Sequence, residues 1–323
     1  MKKVLAITLA LCMIFALCAA SAFADNYPSR TVNIIVPKGA GGPTDTVTRY
    51  FAQYAEKYDS NFKTTIENVT GANGLTGMAK GAAEKADGYT LTAFVVELAL
   101  MQNIASFNAS VTTEDFRPIS ICVCNPDLLC VKHGTYSDVY DFIEKVNKDT
   151  RIGNGGTYSV GDLTSRSVLA AWGKEYTGVP YTDGDASALQ ALIADNPEID
   201  AMICAPSASL NSQVEAGNVD ILCVLGATHV DNAPNAPLLS ELENGYARDM
   251  SINAWAGIGV PKDTPDDVFN YLSELAVKVT TDPDFIADVK GTGSVPSAIN
   301  GQDAIDFINA ESAYYAEVLK DAK

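Results

Sequence analysis

Two hydrophobic periods alternate along the chain: short unbroken apolar runs, and longer stretches in which apolar residues return every third or fourth place. The first pair is the clearest. Residues 32–36 form a run that suits a buried strand, and Gly39, Gly41, Gly42 and Pro43 follow as turn residues. From Thr44 onward Val47, Tyr50, Phe51, Tyr54 and Tyr58 recur at helical spacing. Pro43 takes the first helical position, where a missing N–H costs nothing, and Asp45 places a carboxylate in the first turn. The stretch reads as strand, glycine-rich turn and amphipathic helix.

The alternation continues beyond it. Residues 63–69 read as a second strand, Gly71, Ala72, Asn73 and Gly74 as a turn, Leu75, Met78, Ala82 and Ala83 as a short helix, and 90–96 as a third strand. Such units, joined by short glycine-rich loops, predict parallel βαβ crossovers. Between 116 and 131 two apolar runs are broken by Asn125, Pro126 and Asp127, the expected passage into a second lobe. There, helices around Phe142, Leu169 and Leu192 and at 210–216 alternate with strands at 151–153, 178–181, 199–204 and 220–226. Residues 232–237 read as the return, and a strand within 251–260 with helices at 265–279 and 303–319 completes the first lobe. The expected fold class is α/β with two lobes: 25–125 and 233–323 form lobe 1, and 126–232 form lobe 2. Ligands in such sheets bind beyond the carboxyl ends of strands, so a cleft between the lobes, closed by a hinge, is the expected site.

Residues 1–24 have the features of a signal peptide: Lys2 and Lys3, an apolar run over 4–17, and Ala22-Phe23-Ala24 before Asp25. Cys12 and Cys18 each follow a leucine, which argues against a lipid anchor. Without the leader's two lysines the formal charge moves from −18 to −20. So acidic a chain suits neither nucleic acid nor an anionic membrane surface. It also repels anions at long range, so an anion site must rely on local donors. Cys122, Cys124, Cys130, Cys204 and Cys223 lie in apolar, strand-like contexts and read as buried free thiols, although an oxidising compartment permits a disulfide. His133 and His229 stand in no ligand spacing, and neither a metal nor a cofactor is expected.

The chemistry lies in the first turn after Pro43. Its N–H groups have no intrahelical partner and carry a partial positive charge, which suits a carboxylate or phosphate. The loop is neither a Walker A loop, since no Gly-Lys-Ser/Thr follows, nor a dinucleotide fingerprint, since the spacing fails. No Gly-x-Ser-x-Gly elbow is present. Lys38 stands beside the loop, and Tyr158, Ser159, Tyr181 and Asp183 are candidates from loops of the second lobe. An acid such as Asp183 in the cleft favours an ammonium or a hydroxyl, hence an amino acid or a hydroxy acid. Glu97 ends the third strand as a further candidate, and Trp255 reads as core.

Several segments resemble the TctC, or Bug, family of extracytoplasmic solute receptors. Tyr27-Pro28-Ser29-Arg30, Ile35-Val36-Pro37, Gly41-Gly42, Asp45 and Ala86-Asp87-Gly88-Tyr89-Thr90-Leu91 follow that family's opening in order and spacing. Val179-Pro180-Tyr181, Trp255-Ala256-Gly257, Val260-Pro261 and Thr264-Pro265 continue the likeness over nearly all of the mature chain. The resemblance implies a two-lobed periplasmic-binding-protein fold closing on a small carboxylate held largely by backbone N–H groups, to which the reading of Asp183 adds an amino acid or hydroxy acid as the expected ligand. It implies no enzyme activity, and delivery by a monomer to the membrane permease subunits of a tripartite tricarboxylate transporter. The family's first loop falls on Lys38, Gly39, Ala40, Gly41, Gly42, Pro43, Thr44 and Asp45, and its second on Ala72, Asn73 and Gly74. Its opposite-lobe contacts fall on Asn154, Gly155, Thr157, Tyr158, Ser159, Tyr181, Asp183 and Ala205. Departures cluster there: Lys38-Gly39-Ala40 replaces an aromatic and prolines, and Asp183 and Asp185 appear where the family has Tyr-Lys-Gly. The same sequence also suits a secreted enzyme acting on a small metabolite in the cleft, or a ligand sensor for a signalling system.

Overall fold

The computed structural model describes residues 27–104, 109–181, 184–226, 228–248 and 252–319. The expected signal peptide, residues 1–24, and the candidate Asp183 lie outside the described residues.

In β1 (Val32–Val36) the side chains of Ile34, Ile35 and Val36 have no exposed surface. Full burial of a side chain of this size stabilises by about 1.5–3 kcal/mol. β2 (Thr64–Asn68) and β3 (Thr90–Val95) lie parallel on either side of β1, joined by the crossover helices α1 (Pro43–Tyr58) and α2 (Leu75–Ala82). α1 buries Val47, Phe51 and Tyr54, as their spacing predicts. Tyr58, expected on the same stripe, is exposed at the helix end, and its hydroxyl donates to Asp282 at 2.7 Å.

A short helix, α3 (Glu97–Met101), follows β3, and the chain then enters the long strand β4 (Phe116–Lys132). The next segment alternates α4 (Val139–Lys145), β5 (Arg151–Asn154), α5 (Val160–Ala171), β6 (Thr177–Pro180), α6 (Asp185–Ile193), β7 (Ala201–Cys204), α7 (Ala208–Glu215) and β8 (Val219–Leu225). The chain then supplies β9 (Asn253–Pro261), α8 (Asp266–Thr280), α9 (Pro283–Gly291), β10 (Pro296–Asn300) and α10 (Gln302–Val318).

β4 belongs to both halves of the molecule. Its first part runs antiparallel to β9 and β10, and β9 also pairs antiparallel with β3. From Asp127 onward it pairs with β8 and β7, and β5 lies parallel to β7 and β6. The break expected at Asn125-Pro126-Asp127 is therefore absent: Asn125 pairs with Ala254, Pro126 with Asn253 and Asp127 with Leu225. Pro126 cannot donate to a ladder, and it falls where the strand exchanges one set of partners for the other. α3, α9 and β10 have no counterpart in the sequence pattern, being short elements whose formation depends on neighbours distant in the chain. α9, for example, starts at Asp282, whose carboxylate accepts from the backbone N–H of Asp284 at 2.8 Å.

Among the described residues the packing forms three cores. One gathers apolar residues from 27–123 and 252–319, among them Phe51, Phe94, Trp255 and Leu272, and it also takes in Val160 and Leu163 from the start of α5. The other two draw on 128–242, including Phe142, Leu169 and Ile203 in one and Leu128, Leu189 and Met202 in the other. The five cysteines among the described residues are free thiols, four of them buried and Cys124 partly so. Among the described residues no helix is long and apolar enough to cross a membrane.

Candidate functional site

The two halves enclose a cavity of about 580 Å³, and its wall is built largely from the starts of helices. Gly42, Pro43 and Thr44 open α1, Val96 and Glu97 open α3, and Ser159, Val160 and Gly161 open α5. Gly184, Asp185 and Ala186 open α6, and Ser207 and Ser209 open α7. This follows from the topology, because each of these helices begins where a strand ends, at the carboxyl edge of its sheet. Partial positive charge from several helix N-termini therefore converges on one space.

The termini differ in what satisfies them. Ser159 Oγ accepts from Asp162 N–H at 3.2 Å and Ser207 Oγ from Leu210 N–H at 3.2 Å, so α5 and α7 carry side-chain caps. Gly42 and Gly184, which precede α1 and α6, cap nothing with a side chain. In the α1 loop, Gly41 N–H donates to Asp45 Oδ2 at 2.8 Å and Gly42 N–H to Gly39 O at 3.3 Å. The N–H groups of Ala40, Thr44 and Asp45 have no partner among the described residues.

Asp45 is 1% exposed and holds this loop in place. It accepts from Arg49 at 2.8 and 3.0 Å and from Asn68 Nδ2 at 2.9 Å, besides Gly41. Burial acts to raise its carboxyl, and the bonds from Arg49, Gly41 and Asn68 outweigh it, so it titrates below the ordinary range. Gly41 has a φ of +79°, a left-handed conformation that a β-branched residue resists.

The charged wall is more acidic than basic. Lys38 Nζ lies 2.6 Å from Glu97 Oε1 and 3.1 Å from Asn73 O, so its charge is already paired. Asp127, 1% exposed, lines the cavity with neither carboxylate oxygen hydrogen-bonded among the described residues. Burial pushes its carboxyl up to about 7, offset in part by the nearby Thr164 hydroxyl and reinforced by the charge of Asp185. Asp185, at the open start of α6, is pushed up to about 6 by desolvation and by Glu97, against the opposing charge of Lys38. Its carboxylate packs against Gly155: a Cβ on that glycine would lie 2.6 Å from Asp185 Oδ1. Asn125 and Trp255 complete this part of the wall; Asn125 Oδ1 accepts from Val295 N–H at 2.7 Å, and the Trp255 indole donates to Glu311 at 3.1 Å.

Of the sequence candidates, Lys38, Gly39, Ala40, Gly42, Pro43, Thr44, Gly155, Ser159 and Ala205 line the cavity. Gly41 and Asp45 stand behind them as loop supports, and Ala72, Asn73 and Gly74 reach the cavity only through the Asn73 carbonyl on Lys38. Asn154 is buried and accepts from Gly156 N–H at 3.0 Å. Thr157, Tyr158 and Tyr181 lie off the wall; Tyr158, at φ 63°, gives its N–H to Asp162, and Tyr181 reaches toward Glu198 at 3.4 Å. Asp127, Asn125, Ser207 and Ser209 line the cavity without having been singled out. For Asp127 the available signal was an acid embedded in an otherwise apolar run.

Residues 49–323 match the family model described as the tripartite tricarboxylate transporter family receptor, TctC. A UPF0065 protein from the TAR-I ttuE-ttuC' intergenic region of Agrobacterium vitis is 30% identical over 303 residues, covering 93% of this chain and 84% of the relative. A solved TctC solute binding protein from Polaromonas is 26% identical with a TM-score of 0.76, over 91% of this chain and 99% of that one. A protein of R. palustris solved with adipate has the same fold, at 23% identity and a TM-score of 0.78 over 91% of this chain and 97% of that one.

Proposed function

The chain belongs to the tripartite tricarboxylate transporter family of receptors, and from that premise we propose that it captures a small carboxylate-bearing solute in the cleft and delivers it to a membrane permease. The observation that carries the reading is the start of α1, where Ala40 and Thr44 offer unpartnered N–H groups at a cavity wall made of helix N-termini. A carboxylate there gains charge-assisted bonds from a fixed backbone without any cationic side chain. That answers the long-range repulsion set by the acidic chain: the donors are local, and Lys38 is not needed.

Closure belongs to the same reading. β4 passes from one half to the other as a continuous strand, and the lobes, divided near 126 and 232 with the buried residues Ala233 to Leu242 packing on the second side, would move about it. Export by way of residues 1–24, action as a monomer and docking on the permease subunits complete the proposal. The family is one of receptors, and the cavity has no nucleophile paired with a base among the described residues.

A thermal-shift panel on protein unfolded and refolded to strip carried ligand tests the reading. Mono-, di- and tricarboxylates, adipate among them, are set against amino acids, sugars and phosphate esters. A ligand at about a hundred times its Kd adds roughly 2.7 kcal/mol, several degrees for most domains. Shifts from carboxylate-bearing compounds are expected; shifts from sugars or phosphates alone would sink the carboxylate assignment.

A further inference from the structure

We propose that Asp127 and Asp185 form the seat of an ammonium group, so that the solute is a zwitterion with its carboxylate at the start of α1 and its amine between these two acids. The inference rests on the receptor reading above and names the solute class for the same cleft.

Two observations carry it. Asp127 is almost wholly buried yet lines the cavity, and neither of its oxygens completes a hydrogen bond among the described residues; the adjacent Thr164 hydroxyl, itself unbonded, only tempers its charge. Buried carboxylates are ordinarily paired, and an unpaired one is costly enough that something must meet it or neutralise it. Asp185 lies on the same wall, close enough that its charge acts on Asp127, and its carboxylate makes no hydrogen bond among the described residues. No protein cation is free to answer them: Lys38 is the only basic residue among the described residues of the wall, and it is bound to Glu97. No group of three possible metal ligands is present among the described residues. An ammonium brings three donors and a positive charge, and it leaves the α1 terminus to the carboxylate of the same molecule. A plain dicarboxylate would instead place its second charge against two acids.

Calorimetry on ligand-stripped protein tests this with matched sets: aspartate, malate and succinate, then glutamate, 2-hydroxyglutarate and glutarate, then alanine and propionate. The amine-bearing member of at least one set is expected to bind tenfold or more tightly than its deaminated analogue. Asp185→Asn should remove that preference without weakening the deaminated acid, and Asp127→Asn should do the same if circular dichroism shows it folded. Binding of an amino acid near pH 6 should also release protons, read from the dependence of the heat on the ionisation enthalpy of the buffer. Equal or tighter binding of the deaminated acids overturns the ammonium seat and leaves the carboxylate receptor standing. Binding of no carboxylate-bearing probe overturns both. A response to calcium or magnesium alone assigns the pair to a metal and likewise overturns it.

Discussion

Lys38 Nζ lies 2.6 Å from Glu97 Oε1, so the basic residue of the cavity wall spends its charge on the protein rather than on a solute. The pair is partly shielded from solvent, which strengthens it relative to a surface ion pair. Glu97→Gln releases the lysine and removes a negative charge from the wall. Affinity for a dicarboxylate such as succinate is expected to rise roughly tenfold, the scale of one charge at a part-buried distance. Titration of the variant and its parent checks this; unchanged affinity would mean that Lys38 does not face the solute.

Gly41 supports the loop that presents the free N–H groups. Its φ of +79° and its bond to Asp45 are both upset by Gly41→Val, although no atom lies within 4 Å of the added Cβ. The variant is expected to stay folded, less stable by about 1–2 kcal/mol, and to lose binding. A thermal melt and a titration separate the two effects. Unchanged affinity would show the loop to be a connection only.

Gly155 lies against Asp185, and Gly155→Ala would place a methyl 2.6 Å from the Asp185 carboxylate oxygen. Displacement of that carboxylate should weaken amine-bearing solutes several-fold while sparing their deaminated analogues. Equal losses on both would point to a collapsed cleft instead.

Asp127 gives the stability of the unliganded protein a pH dependence. Its carboxyl is pushed up to about 7 in the fold from an ordinary 3.8, so the folded chain holds the proton more tightly than the unfolded one. This contribution is full below about pH 4, is lost as pH rises toward 7, and is level above. Asp185, Glu97, Lys38, Thr164 and the Cys204 thiol face the same region, and Asp185 adds a similar slope of its own. Asp127→Asn should therefore stabilise the unliganded protein increasingly between pH 4 and 7. Melting curves across that range check it, and a pH-independent difference would contradict the assignment.

How much of this was legible in the sequence depends on whether the signal was local. The β1 run, the Gly39–Pro43 punctuation and the α1 spacing are local, and they placed the strand, the loop and the helix start correctly. The stripe of Val268, Leu272, Leu275 and Val279, buried along α8, is local in the same way. Asn125-Pro126-Asp127 looks like a turn because its residues favour turns, but partners from β9 and β8 hold it extended. Side-chain direction in the loops was equally hidden. Tyr158 leaves the cavity wall because its backbone turns left-handed to give its N–H to Asp162. The acidity of the cleft is legible through Asp185, whereas the most buried acid, Asp127, looks like punctuation beside Asn125 and Pro126.

The most direct measurement is a crystal structure of the stripped protein soaked with the tightest solute of the panel. A carboxylate is expected within about 2.7–3.2 Å of the N–H groups of Ala40 and Thr44, with the lobes closed over it. A solute seated away from the start of α1, for instance in the smaller cavity beside His229 and Lys290, would contradict the central claim.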